Sequence, residues 1–299
     1  MKKSRLVRVW SCGKLEAMSK QTNDENQLRT AVITGATSGL GRAAALALAQ
    51  HGFRVIVVGR DQARGEAAVQ EIASLGGEAE LVLGDLMTVE GVQAIAATIR
   101  ERASAIHLLI NNAGGAFHRD ERTADGLERT FALNVLAPHL LTESLIDALE
   151  AGRARVVNVV TAVPSRAKTS VDAIAGEGAK GGMGSYVSNK LALLALTIED
   201  QRRHAKRGVT FVALHPGVIP GTRFGSDSPG LLMKIGPVIA KLLGITSTLD
   251  EAAARFVKVG TEAIEGGGFY HEGVLREAPR LARDQVFGQQ LRTTLDALA

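Results

Sequence analysis

The chain has 299 residues, an apolar fraction of 45% and a formal net charge of +4, which fit a globular protein with a sizeable core. The first 20 residues carry six lysines and arginines and one glutamate, so the remainder has no basic excess for nucleic-acid binding. Cys12 is the single cysteine, which excludes an internal disulfide and is typical of a cytoplasmic protein.

Two further features limit the function classes. No apolar run approaches the length of a membrane span, and the histidines and the cysteine form no pattern typical of a metal site, so no metal is expected. We expect residues 1–27 to be a flexible basic extension and residues 28–299 to form one domain. His118, His139, His215 and His271 are interpreted as structural.

A glycine-rich stretch follows the first predicted strand, Thr30–Thr34. It leads into an alanine- and leucine-rich helix over residues 42–50. Strand, glycine turn and helix are the context of a dinucleotide site, because the glycines allow close approach of the backbone and the helix N-terminus attracts a pyrophosphate. The alternative is a loop that only joins strand to helix. The residues expected at the cofactor are Gly35, Thr37, Ser38, Gly39, Leu40 and Gly41.

The second strand, Arg54–Val58, indicates the type of cofactor. It ends in Gly59 and Arg60. An acidic residue at this place would bind the ribose 2′-hydroxyl of NAD(H), whereas an arginine suits a 2′-phosphate. NADP(H) is therefore favoured over NAD(H), and the alternative is a surface arginine that binds no ligand.

Strands and helices continue to alternate along the chain. Further strands are predicted at 79–83, 106–110, 155–160 and 209–214, and helices at 61–75, 89–102, 123–151 and 185–205. The alternation predicts an α/β fold, a single-domain Rossmann-type, doubly wound parallel sheet with helices on both faces. Residues after the strand ends are expected to line the cofactor crevice, as in other parallel sheets. They include Asp85, Leu86, Asn112, Ala113 and Gly114.

Tyr186 and Lys190 form the candidate catalytic pair. Four residues apart on a predicted helix, they lie on one face, one turn apart. A free phenol has a pKa near ~10, and a neighbouring ammonium favours the phenolate and lowers that pKa. Tyr186 is therefore a candidate general acid/base. The alternative is an ordinary pair on a helix surface.

Five separated motifs resemble those of the short-chain dehydrogenase/reductase family, and they occur in the same order as in that family. They are Thr34–Gly41, Asn111–Gly114, Asn134, the Tyr186 and Lys190 pair, and Pro216–Gly217. The resemblance implies that Tyr186 acts as acid/base, that Lys190 lowers its pKa and binds the nicotinamide ribose, and that Asn134 holds a water in a proton relay. It also implies cofactor contacts for Pro216, Gly217, Val218 and Thr222.

The chain departs from the family pattern at the hydroxyl that positions the substrate oxygen. The family normally carries serine there, and this chain carries Thr161, with Ser165 as the fallback. The resemblance is nearest to the group of retinol dehydrogenases and protochlorophyllide reductases, as the long interval between Thr161 and Tyr186 indicates.

The resemblance also implies a substrate class and an assembly. The apolar segment 223–247 lies where the family covers its substrate, so we expect a small hydrophobic ketone, aldehyde or alcohol. An ordinary core helix is the alternative for that segment. The apolar helix at 191–198 predicts a homodimer or homotetramer, because family members pair through such helices. A cofactor-binding sensor or scaffold with weak or no catalysis is the alternative function, and a hydrolase is disfavoured because no Gly-x-Ser-x-Gly motif occurs.

Overall fold

The structure is a computed structural model, and it describes residues 28–117, 121–163, 166–176, 178–219 and 246–299. Within these ranges, eight strands form one sheet. They are β1 Arg29–Thr34, β2 Phe53–Gly59, β3 Ala79–Leu83, β4 Leu108–Asn111, β5 Arg155–Val159, β6 Thr210–His215, β7 Phe269–His271 and β8 Val274–Arg276.

Helices connect the strands. They are α1 Gly39–Gln50, α2 Gln62–Ser74, α3 Val89–Arg102, α4 Arg129–Phe131, α5 Ala137–Ser144, α6 Ile146–Ala151, α7 Val171–Ala175, α8 Met183–His204, α9 Leu249–Thr261 and α10 Gln285–Asp296. A π-helical turn spans Ala132–Leu136, and 3-10 turns span Ala205–Arg207 and Arg280–Arg283. No helix of the described ranges is long and apolar enough to cross a membrane.

The strand order is β3-β2-β1-β4-β5-β6-β7-β8, and all neighbours pair in parallel except β7 and β8. The Rossmann-type parallel sheet predicted from the sequence is confirmed. The order reverses direction at β1, which lies between β2 and β4, and such a switch point leaves a crevice at the carboxyl ends of the strands. The glycine-rich loop after β1 and the Asn111–Gly114 segment after β4 meet at this crevice.

Both faces of the sheet are buried. One core lies under α3, α5 and α8, with Phe131, Phe211 and Leu193 among its fully buried residues. The other lies under α1 and α9 and includes Leu48 and Phe256. A sheet covered on both sides explains why its central strands read as continuous apolar runs.

The helix predicted at 123–151 is wrong in its start and its continuity. The chain first makes a turn, in which Gly126 has a φ of +77° and its N–H donates to the Thr123 carbonyl oxygen at 2.9 Å. Helix begins only at Arg129, where the Glu128 carboxylate caps the free N–H groups of the first turn. A π-helical turn and a break at Leu145 then divide it. The strand predicted at 106–110 is Leu108–Asn111.

Candidate active site

The glycine-rich loop after β1 is tied to the segment after β4. The Thr34 hydroxyl oxygen accepts hydrogen bonds from the N–H groups of Asn112 and Ala113, both at 3.0 Å. The Asn112 side-chain amide donates to the Thr34 carbonyl oxygen at 2.8 Å. The two crevice-lining segments are thus held together by the protein itself.

Glycine is required where this loop turns and packs. Gly35 and Gly39 have φ values of +65° and +54°, which L side chains rarely adopt. A Cβ added to Gly41 would lie 2.4 Å from the Gly35 carbonyl oxygen. The Ser38 side chain does not cap α1, so the N-terminal N–H groups of the helix, from Gly39, Leu40 and Gly41, point from a positive dipole end. The loop therefore fits a pyrophosphate.

Thr37 connects the glycine-rich loop to the end of β2. A Cβ on Gly59 would lie 2.3 Å from the Thr37 methyl carbon, so the strand tip and the loop are in contact. Arg60 follows and is exposed, and within the described ranges its guanidinium has no hydrogen bond or ion pair. The neighbouring Asp61 caps α2 through the Arg64 N–H at 3.0 Å and pairs with the Arg64 guanidinium. The carboxylate is thus occupied, while the Arg60 cation faces solvent.

Asp85 and Leu86 follow β3. Asp85 is exposed, and its carboxylate accepts from the Met87 N–H at 3.0 Å. Leu86 is 8% exposed and belongs mostly to the core. Both lie at the carboxyl end of the sheet, and Asp85 offers the more accessible surface.

Asn134 lies in the π-helical turn and is fully buried. Its side-chain amide donates to the carbonyl oxygens of Gly115 and Thr130, at 2.8 and 2.7 Å. Its side-chain oxygen accepts from the Gly115 N–H at 3.3 Å. π-helical turns within helices occur frequently at functional sites, and this one turns Asn134 toward the segment after β4.

Lys190 reaches the same place from α8. Its ammonium nitrogen donates to the Val159 carbonyl oxygen at 2.7 Å and lies 5.8 Å from the ring centre of Tyr186. A Cβ on Gly114 would lie 2.7 Å from the Asn134 side-chain oxygen and 3.2 Å from the Lys190 nitrogen. Only glycine at position 114 leaves room for both side chains.

Tyr186 is buried, and the Thr161 side chain, which follows β5, lies beside its hydroxyl. Burial raises the pKa of Tyr186, and the hydrogen-bonding interaction with Thr161 offsets part of that rise. Burial also lowers the pKa of Lys190 to about 7. The sequence predicted a lowered pKa for the phenol beside an ammonium and an oxidised nicotinamide. Within the protein chain the pKa is raised, because the desolvation of the phenol outweighs the interaction with Thr161.

The Pro216–Val218 turn follows β6, next to the end of β5. Gly217 has a φ of +102°. Val218 is exposed and forms a β-bridge with Thr246. Thr222, Ser165 and His118 lie outside the described residues, as does the predicted apolar segment except for its last two residues.

The sequence did not reveal a buried amide network behind the site. Asn111 and Asn158 are register partners on β4 and β5, and the Asn111 amide donates to the Asn158 side-chain oxygen at 2.8 Å. The Asn158 amide donates in turn to the Thr197 hydroxyl on α8 at 3.0 Å. The network joins two strands to the helix that carries Tyr186. Paired asparagines in apolar strands are the signal that would have indicated it.

The structural interpretation of the histidines agrees with their contacts. His139 pairs with Asp296 at 2.9 Å, and the rings of His215 and His271 make an edge contact at 4.6 Å between centroids. Burial, with the neighbouring His271, lowers the pKa of His215 to about 4.

A family model and several known proteins match this chain. Residues 29–229 match the family model described as short chain dehydrogenase. Human retinol dehydrogenase 13 is 31% identical over 265 residues, which cover 84% of this chain and 78% of the relative. Human polyprenol dehydrogenase is 32% identical over 255 residues, which cover 81% and 76%.

Solved structures with bound cofactor share the fold. A structure from Beutenbergia cavernae, with NADP at low occupancy, is similar with a TM-score of 0.67 at 26% identity and covers 82% of this chain and 94% of its own. A blue fluorescent protein from a metagenomic library, in complex with NADPH, has a TM-score of 0.64 at 24% identity and covers 81% and 95%. At that identity the second likeness shows the fold alone.

Proposed function

Because this chain belongs to the short-chain dehydrogenase family, we propose that it transfers hydride between NADP(H) and a hydrophobic ketone, aldehyde or alcohol. Membership of the family makes the chain an oxidoreductase that acts on alcohols or carbonyls with NAD(P). The choice of NADP(H), the substrate class and the roles of the residues are the proposal. The Tyr186 hydroxyl beside the Thr161 side chain, with the Lys190 nitrogen 5.8 Å from the centre of the Tyr186 ring, is the observation that carries it.

The residues present fit a dinucleotide. Gly35 and Gly41 let the glycine-rich loop pack directly against the segment after β4, while a Cβ at Gly39 would meet only open space, and the α1 N-terminus favours an anion. The exposed Arg60 suits a 2′-phosphate, and NADP is bound at low occupancy in the similar structure from Beutenbergia cavernae. When bound, NADP(H) supplies or accepts the hydride.

Side chains of this protein would donate and accept the proton of the reaction. In carbonyl reduction the Tyr186 hydroxyl donates its proton to the substrate oxygen, and in alcohol oxidation the phenolate accepts it. Thr161 holds the Tyr186 hydroxyl, and its own hydroxyl can bind the same substrate oxygen. Lys190 and Asn134 lie together beside Gly114, where they can pass a proton toward Tyr186 through water.

The names of the relatives support an apolar substrate. Retinol and polyprenol are long, largely hydrocarbon alcohols, and the enzymes named for them are among the similar proteins. We therefore propose that this chain accepts a bulky apolar alcohol or its carbonyl product. A sensor or scaffold function had its support in the threonine at position 161, and the bond from Thr161 to Tyr186 weakens that support.

The test measures NADPH consumption with a panel of hydrophobic aldehydes and ketones. Tyr186→Phe removes the hydroxyl and keeps the ring, so it should lower kcat by about 100-fold or more while NADPH binding stays within about threefold. Equal rates for wild type and Tyr186→Phe would remove Tyr186 from the mechanism. Tight NADPH binding without turnover of any compound in the wild type would favour the sensor.

A further inference from the structure

Arg255 on α9 joins three separate parts of the chain at the carboxyl edge of the sheet. One guanidinium nitrogen donates to the Pro216 carbonyl oxygen and to the Ser247 hydroxyl, both at 2.6 Å. The other terminal nitrogen pairs with the Glu272 carboxylate at 3.1 Å. The Arg255 side chain is 18% exposed, so these partners replace most of its water.

The turn after β6 is fitted closely around this guanidinium. A Cβ on Gly217 would lie 2.5 Å from the Arg255 nitrogen and 2.4 Å from the Ser247 hydroxyl. The Ser247 N–H also donates to the Val218 carbonyl oxygen at 2.8 Å. Arg255 and Ser247 therefore determine where the Pro216–Val218 turn lies.

Glu272 lies in the two-residue turn between β7 and β8, which brings its carboxylate to Arg255. Its φ is +53°, in the left-handed region that non-glycine residues seldom adopt, and its N–H donates to the His215 carbonyl oxygen at 2.8 Å. His215, His271 and Glu272 together offer metal-ligand atoms within 4.8 Å of one another. The Glu272 carboxylate already pairs with a cation, Arg255. We therefore do not assign a metal to this cluster.

The turn lies on the nicotinamide side of the proposed cofactor site. It follows β6, whose neighbour β5 ends at Val159, whose carbonyl oxygen binds Lys190, and leads into Thr161. Arg60, the candidate phosphate ligand, follows β2 on the other side of the switch point. A displacement of the Pro216–Val218 turn should thus weaken the binding of the nicotinamide half of the dinucleotide. The binding of the half that carries the 2′-phosphate should stay unchanged.

We infer that Arg255 is a positioning residue, which holds the Pro216–Val218 turn in place to receive the nicotinamide half of the cofactor. The inference rests on the proposed function. Arg255 itself acts through the backbone of the turn and through Ser247. Lysine cannot reproduce the role fully, since a single ammonium lacks the planar fork that reaches three acceptors.

The experiment compares two ligands that share the adenosine 2′-phosphate half, NADPH and 2′,5′-ADP. In Arg255→Ala the Kd for NADPH should rise about tenfold or more, while the Kd for 2′,5′-ADP changes less than about twofold. Arg255→Lys should lie between wild type and Arg255→Ala. Glu272→Gln, which removes only the ion pair, should raise the NADPH Kd by about two- to threefold. Arg276→Ala, at an exposed arginine on β8, is the matched control and should bind both ligands as wild type does.

The outcomes separate this inference from the proposed function. Equal weakening of both ligands, or of neither, in Arg255→Ala and Arg255→Lys would overturn the positioning role. If Arg255→Ala does not fold, Arg255→Lys and Glu272→Gln decide the question by the same ratio of Kd values. Failure of the wild type to bind 2′,5′-ADP would instead contradict the choice of NADP(H).

Discussion

At the scale of single residues, Arg60 decides the proposed cofactor preference. Its exposed guanidinium follows β2, where it has no partner within the described ranges, while the adjacent Asp61 is occupied by Arg64. Arg60→Ala should weaken NADPH binding by about tenfold, as expected for the loss of one charge-assisted contact to phosphate. NADH binding should change little. The ratio of the two Kd values measures the effect.

Arg203→Ala, at an exposed arginine near the end of α8, is the control for Arg60→Ala and should leave both affinities unchanged. If NADPH and NADH weaken alike in Arg60→Ala, the arginine stabilises the loop and does not bind the 2′-phosphate.

Lys190 should make the stability of the protein depend on pH, because burial lowers its pKa to about 7. In the unfolded chain the amine keeps a pKa near ~10.4. Between these values unfolding takes up a proton, so the free energy of unfolding should rise as the pH increases from about 7 to about 10. Lys190→Met should lose this dependence and be more stable than wild type at about pH 6, by about 2 to 4 kcal/mol.

Urea unfolding at several pH values tests the Lys190 prediction. Lys258→Met, at an exposed lysine on α9, should keep the slope of the wild type. An unchanged slope in Lys190→Met would show that another group causes the dependence.

At the scale of elements, the π-helical turn and the Asn111–Gly114 segment form one unit. Gly114→Ala would place a methyl 2.7 Å from the Asn134 side-chain oxygen, which requires Asn134 or Lys190 to move. We expect kcat to fall by about 10- to 100-fold, because small displacements of catalytic groups are costly. Gly184→Ala on α8 has open space for its methyl and should keep the wild-type rate.

The elements differ in how far their sequence predicts them. Periodicity and glycine placement predicted the β1 loop, β2 and α8, where local pattern and tertiary contacts agree. The pattern from Thr123 onward reads as one helix, because neither the Glu128 cap nor the π-helical turn changes the apolar periodicity. β8 was missed because its three exposed residues form an edge strand without a buried face.

The same limit applies to the site. Motifs predicted which residues converge, since Tyr186, Lys190, Asn134 and Gly114 do meet. They did not predict Arg255, because its partners lie on segments far apart in the chain. Helix spacing also does not contain the burial of Tyr186, which raises the pKa of its hydroxyl.

At the scale of the whole molecule, helix α10 is bound to α8, the helix that carries Tyr186 and Lys190. Arg292 on α10 pairs with Asp200 on α8 at 2.6 Å and with Glu143 on α5 at 2.9 Å. The apolar stretch of α8, from Leu191 to Thr197, is buried within this one chain. The prediction of a homodimer or homotetramer relied on that stretch as an exposed surface, so assembly remains to be measured by sedimentation.

Arg292→Leu should lower the free energy of unfolding by about 3 to 5 kcal/mol, because it leaves the buried Asp200 carboxylate and the half-buried Glu143 carboxylate without their cation. Val286→Ala, at an exposed valine on the same helix, should change stability by less than about 0.5 kcal/mol. Chemical denaturation measures both. A neutral result for Arg292→Leu would mean that the carboxylates bind protons at little cost.

The β-bridge between Val218 and Thr246 has a consequence for engineering. The bridge places Val218 and Thr246 side by side, so the two splice points of an exchanged segment stay next to each other. If residues 223–247 cover the substrate, as the sequence predicts, chimeras that exchange the chain between these points with a related enzyme should change which compounds are accepted.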